Sequence, residues 1–196
     1  MMGDEARRLL EAAGVPVPRW EVVSVDGAGE AADRLGYPVV VKAAGLAHKT
    51  EADAVALDLN DAGAVDEVAR RIAGASAAEM VIVERQVGDA VVELLVSVRR
   101  EDPVGWLLTI GAGGTLVEIL EDTCSLLLPV TAEDVRSALQ GLSVWPLLAG
   151  YRGRPGADVE AVVDAVLGVV QMAVAPDRLV EVECNPLIAG AEGATV

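Results

Sequence analysis

At 196 residues, with 53% hydrophobic content resting on Ala, Val and Leu and no Phe at all, the chain can bury a core without disulfides and is no disordered polymer. A net charge of −16 repels polyanions, which excludes nucleic acid and anionic membrane surfaces as partners and means that any phosphate ligand needs local cations. The N-terminus, Met1-Met2-Gly3-Asp4-Glu5, is acidic where a signal peptide is basic, and the most apolar stretch, Ala161–Met172, is too short to span a bilayer. A cytoplasmic protein is expected.

Ala6, Leu9, Leu10 and Ala13 recur at helical spacing until Gly14 and Pro16 stop the run. Trp20–Val25 then reads as a strand, Ala28–Leu35 as a helix closed by Gly36, and the valine-rich Pro38–Ala43 as a buried strand ending at Lys42. Alternation at Val55, Leu57 and Leu59 predicts a further strand; Val65, Val68, Ala69 and Ile72 mark a helix, and Met80–Glu84 a strand. The second half opens with a long alternating run, Val91–Arg100, followed by Gly105–Ile110, Thr115–Leu120 and Thr123–Leu128, all read as antiparallel strands. Thr131 with Asp134 suggests a capping box for a helix through Leu139. A longer helix covers Asp158–Ala173, and a last strand covers Leu179–Cys184, before Asn185-Pro186. The expected class is α+β, with a subdomain over 1–87 and a second over 88–196.

Chemistry concentrates at one strand-loop junction. The only two lysines and the only histidine, Lys42, Lys49 and His48, fall within eight residues, while every other basic residue is arginine. Ammonium groups on flexible stems suit phosphate, and a neutral imidazole is a nucleophile near pH 7. Glu183 and Asn185 lie two apart on a strand and share a face, which offers two oxygen ligands of the kind Mg²⁺ takes alongside substrate phosphates. Taken alone, the same pair is also an ordinary solvated strand end. Gly111-Ala112-Gly113-Gly114 joins two strands as a hairpin or as an anion-approaching turn, with Glu118 and Asp122 following. Glu84 and Glu93 flank the boundary between the halves. Cys124 and Cys184 have no second Cys or His at ligand spacing and read as structural thiols.

The order of these pieces resembles the ATP-grasp domain of the NDP-forming acyl-CoA synthetases, of the acetate:CoA ligase (ADP-forming) β-subunit type, with succinyl-CoA synthetase β as a more distant relative. Pro38–Glu51, Val92-Glu93-Leu94, Gly111–Asp122, Leu148–Gly153 and Glu183–Leu187 carry the likeness, which spans nearly the whole chain. It implies an ATP-grasp fold of two subdomains with a nucleotide cleft between them. It further implies that Lys42, with Lys49 beside it, meets the phosphates of ATP or ADP, that Glu84 and the backbone through Val87 meet adenine, and that Glu93 holds the ribose. Glu183 and Asn185 would ligate Mg²⁺, and His48 would carry phosphate to and from a CoA-binding α-type subunit or domain. Formation of a homo-oligomer is left open by the sequence.

Three departures bear on this. The family's histidine run continues with two glycines where this chain has Asp53 and Ala54, adding an anion near the phosphates and restricting the backbone. A metal-binding Asp that the family supplies past Gly193-Ala194 is not reached before Val196, so a truncated metal site is expected. The family's enzymes also need a CoA-binding subunit or domain that forms the acyl phosphate and thioester, and these 196 residues do not include one. These departures favour, as an alternative, a non-catalytic regulatory ATP-grasp module associated with an acyl-CoA or acetyltransferase protein; a carboxylate-amine ligase would leave His48 without a role.

Overall fold

The computed structural model describes residues 3–44, 55–76, 78–114, 117–175 and 179–196. His48, Lys49, Asp53 and Ala54 lie outside the described residues. The chain forms two compact units, one of Met1–Arg8 with Pro18–Gly88, the other of Leu9–Val17 with Asp89–Val196.

The first unit holds a four-stranded antiparallel sheet in the order β1-β4-β2-β3, from β1 (Trp20–Ser24), β2 (Val39–Ala43), β3 (Val55–Leu59) and β4 (Met80–Arg85). One face packs on two helices, α2 (Ala28–Leu35) and α3 (Ala62–Ser76). Because side chains alternate along a strand, Val39, Val41 and Ala43 of β2 and Val81 and Val83 of β4 enter this core with Ala31, Leu35, Val65 and Ile72. Lys42 and Glu84 take the other parity and point to the opposite face. The alternation read in β3 fails at Leu57, which is 59% exposed. Val39 pairs with Leu59 but Val41 with Ala56, so Leu57 and Asp58 together oppose Val40 in a bulge, and Asp58 adopts φ 58°. The side chain of Gln86 steadies that residue: Asp58 N–H donates to Oε1 at 2.7 Å, and Nε2 donates to Asp58 Oδ1 at 2.7 Å.

The second unit is a five-stranded antiparallel sheet in the order β7-β6-β5-β8-β9: β5 (Ala90–Glu101), β6 (Gly105–Ala112), β7 (Thr123–Leu127), β8 (Glu181–Gly190) and β9 (Gly193–Thr195). Its core face takes Val92, Leu94, Val96 and Val98 from β5 and packs on α5 (Ala132–Gly141), α6 (Trp145–Leu148) and α7 (Val159–Val174). Leu10, from α1 (Gly3–Ala12), and Val15 also belong to this core. The capping box at Thr131 forms with both reciprocal bonds, and Asp158 caps α7 by accepting from Ala161 N–H at 3.0 Å.

Two further readings need correction. Residues 117–120 of the expected strand Thr115–Leu120 form a short helix, α4 (Val117–Leu120), and β6 pairs directly with β7 instead. Its β-branched residues have no strand to join, so Ile119 stays 76% exposed. The last strand does not stop at Cys184. Leu94 pairs with Leu187 and Val96 with Cys184, so Asn185 and Pro186 together oppose Leu95, and this bulge accommodates a residue without an N–H. Among the described residues, no helix is long and apolar enough to cross a membrane.

Candidate functional site

In the first unit, β2 and β4 bring Lys42 and Glu84 together. Lys42 pairs in register with Ile82, and Glu84, two residues on, lies diagonally across on the same face. The Lys42 Nζ donates to Glu84 Oε1 at 3.0 Å and to Oε2 at 3.1 Å. Val40 and Ile82, of the same parity, are 5% and 1% exposed, so the pair sits over an apolar floor where charges interact strongly. Glu84 itself is 7% exposed, whereas the Lys42 side chain keeps 23% of its surface.

A third member was not foreseen in the sequence. Arg7, on α1, pairs with Glu84 Oε2 and lies over the Trp20 ring at 5.6 Å to its centroid. The one local signal was that Arg7 precedes the core residue Leu10 by three and so sits beside the helix's apolar stripe. Val87, half-buried, follows on the segment leaving β4, where Gln86 N–H donates to Pro38 O at 3.0 Å.

In the second unit, Glu93, Glu183 and Asn185 all lie exposed, on the parity opposite the core residues of β5 and β8. The glycine segment connects two of them. Gly111 and Ala112 end β6; Gly113 N–H then donates to Glu93 O at 2.8 Å, and Gly114 N–H to Asn185 Oδ1 at 2.8 Å. Gly114 has φ +72°, and a Cβ there would overlap the Glu93 carboxylate. The bulge at Asn185 and Pro186 thus aims the Asn185 amide at the glycine turn. Glu183 lies in register with Ser97.

The donor set suits Mg²⁺, which needs one or two protein oxygens and fills its other positions from water and phosphate. Glu183 makes no ion pair among the described residues, and Asn185 keeps a second lone pair on its oriented oxygen. No group of three or more His, Cys, Asp or Glu that could hold a metal by itself occurs among the described residues, so such an ion depends on its ligand. Asp122 serves the fold: its carboxylate accepts from Ser143 N–H at 2.9 Å and Val144 N–H at 3.2 Å. Cys184 is buried, and burial, then the Glu183 charge, push its thiol up to about 12, which makes it an inert core residue. Cys124 is half-buried, and both thiols are free.

A family model described as an ATP-grasp domain matches residues 1–196. The chain is 31% identical over 215 residues to the β subunit of acetate–CoA ligase (ADP-forming) II of Pyrococcus furiosus, covering all of this chain and 88% of that subunit. It is 32% identical over 199 residues to acetate–CoA ligase (ADP-forming) II of Archaeoglobus fulgidus, of whose length it spans 29%. Among solved structures it resembles, with TM-score 0.85 and 26% identity over 98% of this chain and 87% of that one, the dinucleotide-forming acetyl-coenzyme A synthetase 1 of Ca. Korarchaeum cryptofilum. That structure is in complex with coenzyme A and Mg-AMPPCP, its phosphohistidine segment pointing towards the nucleotide-binding site.

Proposed function

Because the chain belongs to the ATP-grasp domain family, we propose that it is the nucleotide-binding, β-type subunit or domain of an ADP-forming acyl-CoA synthetase. The reaction is acyl-CoA + ADP + phosphate ⇌ carboxylate + ATP + CoA. The observation that carries this reading is the strand-end ammonium of Lys42, fixed 3.0 Å from a buried carboxylate yet still open to a ligand, in a chain whose one other lysine and one histidine follow within seven residues. The likeness along the full chain to a β subunit of an ADP-forming ligase supports it.

In this reading Lys42 and Lys49 neutralise the nucleotide phosphates, Glu84 and the backbone through Val87 meet adenine, and Glu93 holds the ribose. Glu183 and Asn185 would hold Mg²⁺, which supplies charge neutralisation at the phosphates. A ring nitrogen of His48 attacks the phosphorus of an acyl phosphate formed on the CoA-binding partner. An N–P bond forms as the bond to the carboxylate oxygen breaks. The terminal oxygen of ADP then takes the phosphoryl group, which returns the imidazole and yields ATP.

Incubation with γ-labelled ATP and Mg²⁺ tests this. An acid-labile, alkali-stable label is expected on the chain, lost in His48→Asn and discharged when a CoA-binding subunit, CoA and a carboxylate are added. ATP binding with no label on His48 in the presence of that partner would overturn the phosphoryl-carrier role and leave a regulatory nucleotide-binding module.

A further inference from the structure

Glu84 is a single carboxylate shared by two cations, Arg7 and Lys42, and all three side chains are largely buried. The cluster carries a net positive charge where water screens weakly. Were Lys42 the sole counter-ion of Glu84, turning its ammonium towards a phosphate would leave a buried carboxylate uncompensated, a change that is strongly unfavourable. Arg7 alters that balance, since it pairs with Oε2, one of the two oxygens that Lys42 also contacts. The guanidinium lies over the Trp20 ring and pairs with Glu84 through Nη2, while its Nε has no hydrogen-bond partner among the described residues.

We propose that Arg7 is a positioning residue for phosphate binding: by serving as the standing counter-ion of Glu84, it frees the Lys42 ammonium to engage the phosphates of a nucleoside diphosphate or triphosphate. The proposal rests on the reading of Lys42 as a phosphate-binding group. Arg7 touches no phosphate in this scheme and acts only through Glu84.

Calorimetric titration with ADP and with adenosine separates the two ideas, since adenosine lacks the phosphates and reports everything else. The quantity read is the ratio of the two dissociation constants. Arg7→Gln should weaken ADP relative to adenosine by about tenfold, the scale of one charge-assisted contact. Adding Glu84→Gln to Arg7→Gln should restore the ratio, because the carboxylate that captures Lys42 is then gone, and Arg7→Lys should retain most of it. An unchanged ratio in Arg7→Gln, or a loss that Glu84→Gln does not repair, overturns the proposal. Should Arg7→Gln fail to fold, the Glu84→Gln background carries the test: with no carboxylate left to capture Lys42, adding Arg7→Gln there should leave the ratio as it is in Glu84→Gln alone, and a further loss overturns the proposal. If Lys42→Met leaves the ratio unchanged, the reading of Lys42 falls; a loss in Lys42→Met with none in Arg7→Gln removes only the role of Arg7. Absence of ADP binding by the unsubstituted chain overturns both.

Discussion

Gly113 leaves no room for a side chain. Its N–H donates to Glu93 O at 2.8 Å, and a Cβ there would overlap backbone atoms of Leu94, which cannot swing away as a side-chain tip can. Gly113→Ala should therefore cost about 1–3 kcal/mol, the range for forcing an extra methyl into a packed site. Gly74→Ala is the control: in α3 a Cβ meets nothing within 4 Å, and alanine is the better helix former. Urea midpoints of the two variants check this, and equal midpoints for Gly113→Ala and the unsubstituted chain would mean that β5 yields freely. At this scale the sequence was informative where chemistry was concentrated. Lys42 stood out among arginines, and Asn185 stood next to a proline. Arg7 and the Gly114 amide were illegible because their partners, Glu84 and Asn185, lie 77 and 71 residues away. Only the folded register brings them within reach.

Elements bounded by strong local signals were readable, and those set by pairing were not. Thr131 caps α5 as its spacing from Asp134 suggested: Thr131 Oγ1 donates to Asp134 Oδ2 at 2.6 Å, Thr131 N–H donates to the same oxygen at 2.8 Å, and Asp134 N–H donates to Thr131 Oγ1 at 3.2 Å. The hydroxyl, and next the N–H of Thr131, hold the Asp134 carboxyl below the usual carboxylate range. A depressed folded-state value means that this contribution is complete above the unfolded-state pKa and is lost as pH falls through the folded one. Thr131→Val removes the cap acceptor and should cost about 1 kcal/mol at neutral pH. It should also move the Asp134 titration, followed by NMR, part of the way back up, since the N–H donor remains. An Asp134 titration unmoved by Thr131→Val would show that the hydroxyl is not what lowers it. By contrast, nothing local distinguishes residues 117–120 from a strand; they are helical because β7 already occupies the edge of β6. The continuation of β8 past Pro186 was hidden for the same reason, because the bulge that tolerates the proline depends on Leu95 of another strand. Likewise, helical spacing showed that Leu10 would be buried, but not that it joins the core of the second unit.

For the whole molecule, net charge is the term that salt and pH can move. With 31 acidic and 15 basic residues the chain repels itself at neutral pH, and such repulsion disfavours the compact state. Opposing it among the described residues are seven ion pairs. In five of them at least one partner is more than half exposed. Pairs of that kind contribute about 0–1 kcal/mol each and weaken as salt is added. The two pairs on Glu84 are shielded from solvent and respond little. Salt therefore acts on two opposing terms, a few weak surface attractions and the repulsion of sixteen unbalanced charges. Raising NaCl from 0.01 to 0.15 M shortens the screening length from about 30 Å to about 8 Å, which cuts the many long-range repulsions more than the short contacts. Repulsion should win, and the melting temperature should rise by about 2–4 °C, the shift that 1 kcal/mol gives a chain of this size. The same salt step at pH 5, nearer the isoelectric point of about 4.3, should raise it less, because part of the unbalanced charge has been titrated away. Thermal melts followed by circular dichroism at the two salt concentrations and two pH values make the comparison. A melting temperature that falls with salt at pH 7 would mean that the surface ion pairs, weak as they are singly, outweigh the net charge.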